Sequence, residues 1–341
     1  MPLLNLLADI GGICVGHAAD TRLGSGATAI LFDGPVIAAV SVLGGAPGGR
    51  DTGMLDAGGS IERIDALVLS GGSAHGLDAA GGVQAWLRAA GRGAAFVGHL
   101  VPLVPQAILF DLANGADKDW GRFSPYRELG WDAAAAARPG AFALGSVGAG
   151  TGAMTATCKG GLGSASATTS AGHRVAALAA VNAMGSPTIG DGAHFWASPF
   201  EAGREFGGLG WPAAILPADL ALRSKRRFQA DRTPATTIGL IATDATLTRA
   251  QAQRLAIMAQ DGLARALFPA HAPLDGDTIF AVSTERRALG DPWAELLELG
   301  HLATQVMARA IARGVFEATA LAHAGAQPSW RDLFGDQLPT A

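Results

Sequence analysis

Residues 234–245 read PATTIGLIATDA, a Pro-Ala pair and two threonines that lead directly into an apolar run. The β-branched and apolar residues of this run favour a buried strand. Thr236 stands where the predicted strand begins. The stretch therefore has two interpretations: Thr236 is an ordinary first residue of a strand, or it is meant to become a new chain terminus.

The chain before this stretch is predicted to form mostly strands, with one clear helix. An Asp33-Gly34 pair between two apolar runs predicts a hairpin. A glycine turn after residue 70 leads into a helix that ends at Gly91. From Asp191 to about residue 235 no period is visible, which predicts a long loop or linker. The predicted strands are 27–32, 35–43, 66–70, 143–169 and 174–185.

The chain after this stretch alternates helices and strands. Thr248 and Gln251 form a capping box that predicts a helix to about residue 268. Residues 278–284 predict a strand, and Asp291-Pro292 begins a final helix to about residue 313. Strands between outer layers of helices predict an α/β fold, a four-layer α/β/β/α sandwich with two sheets inside.

Composition limits the possible functions. The net charge is −4 and no basic stripe is present, which argues against a nucleic-acid-binding protein. With 49% hydrophobic and 16% charged residues, the chain predicts a large core. Its two cysteines do not form a disulfide framework, and its first residues lack the features of a signal peptide. We therefore expect a cytoplasmic protein that binds neither nucleic acid nor membrane.

The interpretation of Thr236 as a new chain terminus has a chemical basis. A threonine hydroxyl is a weak nucleophile until a base removes its proton. The α-amine of an N-terminal threonine, with a pKa of roughly 7.7–8.0, is such a base near neutral pH. That amine exists only if the Ala235–Thr236 bond is broken. Attack of the hydroxyl on the preceding carbonyl, followed by hydrolysis of the ester, would break this bond.

Several segments resemble one family. ATTIGLIATDA and, about forty residues later, DGDTIFAVST are similar to the DmpA-type L-aminopeptidase/D-esterase family of N-terminal-nucleophile hydrolases, which includes nylon-oligomer hydrolases. Matches upstream follow in the same order: GGICVGHAAD, LSGGSAHGLDAAGGVQAWL, VPQAILFDLANG, CKGGLGSAS and AAVNAMG. The resemblance implies one self-cleavage, after Ala235, into parts 1–235 and 236–341 that form one folded unit. Thr236 would be the nucleophile.

The resemblance also assigns roles to two residues upstream of the cut. Asn182 of VNAMG is similar to a family asparagine that donates to the oxyanion, although a lone Asn at a strand end more often makes a local turn. Lys159 of CKGG is similar to a lysine of the nylon-oligomer branch, where an ammonium beside the nucleophile stabilises negative charge. Its alternative is a surface lysine on a glycine turn.

Asp275 and Asp277 form an acidic pair in DGD that is similar to the nylon-oligomer branch, whereas the peptidase branch has a Ser and a Glu there. On an extended segment both side chains point to one face. One would orient the Thr236 amine and the other would hold a substrate ammonium. The alternative is an ordinary Asp-Gly turn before a strand. Ala235 differs from the Asn or Gly often found before the cut.

Weaker signals concern substrate binding. Ser73 and His75 lie in GGSAHG, which predicts a glycine turn near the site. Tyr126 is predicted either to wall the substrate pocket or to fill space under a loop. The histidines have no metal-binding spacing and no dinucleotide or P-loop pattern is present, so we predict neither a metal nor a cofactor.

Together these features predict an aminopeptidase or amidase that acts on short peptides, amino-acid amides or esters through an acyl-enzyme on Thr236. Three alternatives remain: an endo-hydrolase of 6-aminohexanoate oligomers, an acyl transferase similar to ornithine acetyltransferase, and an uncut, non-catalytic binding protein. The resemblance further implies that the two products stay together and form a homo-oligomer, a tetramer of processed heterodimers.

Overall fold

The computed structural model describes residues 3–56, 58–225 and 234–339. Its helices are α1 (Ser73–Gly76), α2 (Ala79–Ala89), α3 (Tyr126–Ala136), α4 (Arg249–Ala266), α5 (Pro292–Phe316) and α6 (Trp330–Phe334). Its strands are β1 (Ile13–Asp20), β2 (Ser25–Val42), β3 (Gly49–Arg50), β4 (Arg63–Ser70), β5 (Ala94–Phe96), β6 (His99–Val101), β7 (Gln106–Ile108), β8 (Leu162–Thr168), β9 (Arg174–Asn182), β10 (Thr236–Ala245) and β11 (Thr278–Arg287).

Nine of these strands form one mixed sheet. Its order is β3-β7-β4-β2-β11-β10-β9-β8, and β1 pairs with β2 outside this path. β10, the strand of the TTIGLIATDA segment, lies inside the sheet, antiparallel to β9 and parallel to β11. The Thr236 end of β10 is therefore held by hydrogen-bonded neighbours on two sides.

Three hydrophobic clusters separate four layers. The first lies between α4, α5 and one face of β9, β10 and β11. The second contains the opposite faces of these strands together with residues of β1, β2 and β4, and thus fills the space between two sheet layers. The third lies between β2, β4 and the helices α2 and α3. Since alternate residues of each strand point to opposite clusters, the predicted α/β fold with helices outside is confirmed.

The predicted hairpin at Asp33-Gly34 is wrong. Residues 25–42 form the single long strand β2, with a shift in its pairing to β4 between Leu31 and Val36. Its first half pairs with β1 and its second half with β11. Because each half has a different partner, the chain stays extended and joins the two inner layers into one hydrogen-bonded sheet.

Other predicted elements differ in extent. Within 143–169 only β8 is a regular strand of the sheet, and the segment before it turns at Gly145 and Gly148, both with positive φ. The predicted loop from Asp191 contains only short 3-10 turns up to residue 225, and its residues 226–233 lie outside the described residues. Among helices within the described ranges, none is long and apolar enough to cross a membrane.

Candidate active site

The bond between Ala235 and Thr236 is fixed on both sides. Thr236 is paired with Asn182 at the end of the β9–β10 ladder. Ala235 forms a parallel bridge with Asp275, in which its N–H donates to the carbonyl oxygen of Leu274 at 2.9 Å. The N–H of Gly276 donates to the carbonyl oxygen of Ala235, also at 2.9 Å. This carbonyl is therefore both oriented and polarised.

The Thr236 hydroxyl lies against the bond that precedes it. Its Oγ1 donates to the carbonyl oxygen of Ala235, and the residue is only 4% exposed. A Cβ on Gly276 would lie 2.8 Å from this Oγ1, well inside ordinary contact distance. Glycine at 276 is therefore what leaves room for the hydroxyl.

Asp277 holds the next peptide of β10. Its Oδ1 accepts from the Thr237 N–H at 2.7 Å, and its Oδ2 accepts from the His271 N–H at 3.0 Å and lies 2.8 Å from His271 Nδ1. Burial is the largest single influence on His271 and favours the neutral imidazole, but the hydrogen bond to Asp277 and the charges of Asp277 and Asp275 together outweigh it and raise the pKa of His271. The carboxylate thus joins the start of β10 to the loop before β11.

Asp275 lies beside Ala235, the residue before the Ala235–Thr236 bond. Its Oδ1 accepts from the Met184 N–H at 3.0 Å and its Oδ2 accepts from the Ala272 N–H at 2.9 Å. Burial and the nearby charge of Asp277 raise the pKa of Asp275 to about 6. Asp277 is therefore close enough to Asp275 to influence the ionisation of Asp275.

Asn182 has a fixed amide orientation. Its Nδ2 donates to the carbonyl oxygen of Phe110 at 2.8 Å. Its Oδ1 accepts from the Met154 N–H at 2.9 Å and from the ammonium of Lys225 at 2.8 Å. Since both Oδ1 partners are donors, the nitrogen must lie on the Phe110 side. Asn182 is fully buried.

Lys159 is a buried lysine and not a surface one. Its ammonium donates to the carbonyl oxygens of Gly150 at 3.0 Å and Gly160 at 2.7 Å. Burial lowers its pKa to about 7, although Asp111 opposes this shift. These contacts place the ammonium against the loop that carries Met154, whose N–H reaches Asn182.

The three residues predicted to bind substrate lie around one glycine turn. Ser73 donates its N–H to the carbonyl oxygen of Leu109 at 3.0 Å, and His75 is exposed beside Trp120. Tyr126 is fully buried under Gly72 and donates to Ser25 Oγ at 2.9 Å. Tyr126 therefore fills space under a loop, which is the second of the two roles predicted for it.

The structure thus brings Asn182, Asp275 and Asp277 to the ends of the Ala235–Thr236 bond. The hydrogen bonds of Lys159 and of the 73–75 turn are made with other segments. Sequence reasoning missed Gly276, His271 and Lys225. A histidine six residues before Asp277 was a visible signal for His271, whereas Lys225 stood in an irregular segment without any pattern. No group of three or more potential metal-binding side chains occurs in the part of the chain that the structure describes.

Comparison with known proteins identifies the family of the chain. The family model of peptidase family S58 matches residues 5–327. An uncharacterized aminopeptidase of Mycobacterium tuberculosis is 41% identical over 350 residues, covering 97% of this chain and 98% of that protein. An uncharacterized aminopeptidase of Mycobacterium leprae is 38% identical over 353 residues, covering 94% and 92%.

Solved structures have the same fold at lower sequence identity. A beta-aminopeptidase of Burkholderia sp. superposes with a TM-score of 0.69 at 21% identity, covering 99% of this chain and 95% of that chain. The L-aminopeptidase D-Ala-esterase/amidase of Ochrobactrum anthropi, described as a variant of the Ntn hydrolase fold, gives 0.68 at 20% identity, covering 98% and 95%. With the family model spanning almost the whole chain, the protein is a peptide hydrolase that belongs to peptidase family S58.

Proposed function

We propose that this chain is a self-processing N-terminal-nucleophile aminopeptidase or amidase, with Thr236 as its nucleophile. The observation that carries the proposal is the contact between the Thr236 hydroxyl and the carbonyl of Ala235, whose oxygen accepts the Gly276 N–H. A hydroxyl, the carbonyl before it and a donor to that carbonyl are what an N-to-O acyl shift requires.

The self-cleavage proceeds in two steps. Thr236 Oγ1 attacks the carbonyl carbon of Ala235, the C–N bond breaks, and the hydroxyl proton is transferred to the released nitrogen. The Gly276 N–H stabilises the negative charge that develops on the carbonyl oxygen. Water then hydrolyses the ester, which gives a carboxyl group on Ala235 and frees both the hydroxyl and the α-amine of Thr236.

The processed enzyme repeats this chemistry on a substrate. Thr236 Oγ1 attacks the carbonyl of a short peptide, amide or ester, and the Thr236 amine takes the proton and passes it to the leaving group. The hydrogen of Asn182 Nδ2 that is not directed at Phe110 donates to the oxyanion. Asp277, through the Thr237 N–H, keeps the start of β10 in position. Water releases the acyl group.

The two products, residues 1–235 and 236–341, remain one folded unit in this proposal. β10 and β11 belong to the smaller product, yet β10 pairs with β9 and β11 pairs with β2 from the larger one. Separating them would expose the second hydrophobic cluster, which both products build. The free thiols of Cys14 and Cys158 support a cytoplasmic location, and exposed Trp293 and Leu297 support the predicted homo-oligomer.

The decisive experiment is the intact mass of the purified protein under denaturing conditions, compared with Thr236→Ala. We expect two wild-type fragments, the smaller starting Thr-Thr-Ile-Gly, and a single 34.4 kDa chain for the variant. Only the wild type should release ammonia from an amino-acid amide. A wild-type chain that stays whole on incubation would instead support the non-catalytic binding protein, and acyl transfer to glutamate faster than hydrolysis would support the acyl transferase.

A second candidate is an endo-hydrolase of 6-aminohexanoate oligomers. It is favoured by the two aspartates at 275 and 277 and by the buried ammonium of Lys159, which are similar to the nylon-oligomer branch. Equal amounts of processed enzyme should be assayed on an amino-acid amide and on a linear 6-aminohexanoate oligomer. Faster release from the oligomer would favour this candidate.

A further inference from the structure

Asn182 binds an ammonium group with two of its own oxygens. The Nζ of Lys225 donates to the backbone oxygen of Asn182 at 2.7 Å and to its side-chain Oδ1 at 2.8 Å. Lys225 is 2% exposed and Asn182 is fully buried. A charge-assisted contact to two oxygens of one residue is a defined cation site and not a chance surface contact.

Lys225 also borders a cavity. The cavity has a volume of about 450 Å³, and its wall includes Met154, Thr155, Gln327 and Leu333. Lys225 is one of the described residues that line this cavity, whereas Asn182 and Thr236 are not among them. The lysine side chain therefore stands between the cavity and Asn182.

Burial and the charge of Lys159 disfavour a positive charge at this site, whereas two nearby carboxyl groups favour one. The carboxyl groups of Asp275 and Asp111 both act to raise the pKa of Lys225, in opposition to burial and to the charge of Lys159, which lower it to about 7. The oxygens of Asn182 and these carboxyl groups belong to the fold and would remain if the lysine side chain left. The site would then have acceptors and no cation.

We propose that the backbone and side-chain oxygens of Asn182 form a binding site for a primary ammonium on an alkyl chain, filled by Lys225 in the uncut protein. This inference rests on the proposed function for its natural occupant, the free amino end of the substrate, which enters from the cavity. Lys225 lies ten residues before Ala235, so the proposed cut turns its segment into a chain terminus. Nδ2 of Asn182 then faces the carbonyl oxygen of a substrate whose amine lies at Oδ1.

The test uses Thr236→Ala as the background, so that every sample is one uncut chain. Lys225→Ala in this background removes the side chain beyond Cβ, and the missing piece is propylammonium. We expect propylammonium to bind saturably to this double variant in calorimetry and to raise its Tm, at least about tenfold more tightly than 1-propanol. Lys225→Met, which fills the space with an apolar chain, is the matched control and should not respond.

Equal effects of propylammonium and 1-propanol on the Lys225→Ala chain would overturn the proposal. If this chain does not fold, it is refolded with each compound: recovery with propylammonium alone supports the site, and no recovery overturns it. Alaninamide should displace propylammonium, whereas N-acetylalaninamide should not. None of these readouts uses cleavage or turnover, so an inactive, uncut wild type would refute the proposed function and leave the ammonium site standing.

Discussion

Gly276→Ala tests the geometry of the proposed self-cleavage at one atom. The added Cβ would lie 2.8 Å from Thr236 Oγ1, 2.8 Å from the carbonyl oxygen of Ala46 and 3.3 Å from Pro47 Cα. To reach ordinary contact, the hydroxyl must move by roughly 0.6 Å, and the backbone on the other side resists a compensating shift. Residue 276 does not have a positive φ, so alanine is acceptable to the backbone itself.

The expected loss in the rate of self-cleavage follows from this displacement of the Thr236 hydroxyl. A misplacement of about 1 Å in a reacting group costs on the order of 10²-fold in rate, so we expect self-cleavage to slow by about ten- to a hundredfold. Overpacking should lower the free energy of unfolding by about 1–3 kcal/mol, which leaves the chain folded. Gly34→Ala is the matched control, because a Cβ there meets nothing within 4 Å and its rate should not change.

The assay follows freshly translated protein in a cell-free system, where conversion of the 34.4 kDa chain is timed by denaturing electrophoresis. Circular dichroism and Tm of each variant establish that the slow chain is folded. If folded Gly276→Ala is cut as fast as the wild type, the hydroxyl position in the structure is not the reactive one and the reasoning is refuted.

Two further predictions concern the residues around the bond. Asn182→Ala should lower kcat of the processed enzyme by about 10²–10³-fold with a smaller effect on KM, measured on an amino-acid amide; a loss under about tenfold would remove its oxyanion role. Asp275 has a folded pKa of about 6, above its ordinary value of 3.8, so its contribution to stability is fully present below pH 3.8 and is lost as pH rises through 6. Relative to Asp275→Asn, the wild-type free energy of unfolding should therefore fall between pH 4 and 6 in urea titrations, and a rise over this range would contradict the assignment.

Much of the local structure could be predicted because its causes are local. Thr248 accepts the Gln251 N–H at the start of α4, and Asp291 accepts the N–H groups of Trp293 and Ala294 at the start of α5. Such caps act within one turn of the chain, so their residues are adjacent in the sequence. The buried strand β10 follows in the same way from its run of β-branched and apolar residues.

The tertiary structure decided what depends on distant partners. The Asp33-Gly34 pair has a hairpin pattern, but separate neighbours for the two halves of β2 keep the chain extended. Lys225 lies 43 residues from Asn182, and Gly276 lies 41 residues from Ala235, so no local pattern links either pair. Only packing brings an ammonium to the oxygens of Asn182 and a backbone N–H to the carbonyl of Ala235. The sequence by itself therefore determined the capped helices and the strand β10 and pointed to Thr236, whereas the folded sheet determined which groups surround its hydroxyl, because those contacts join residues far apart in the chain.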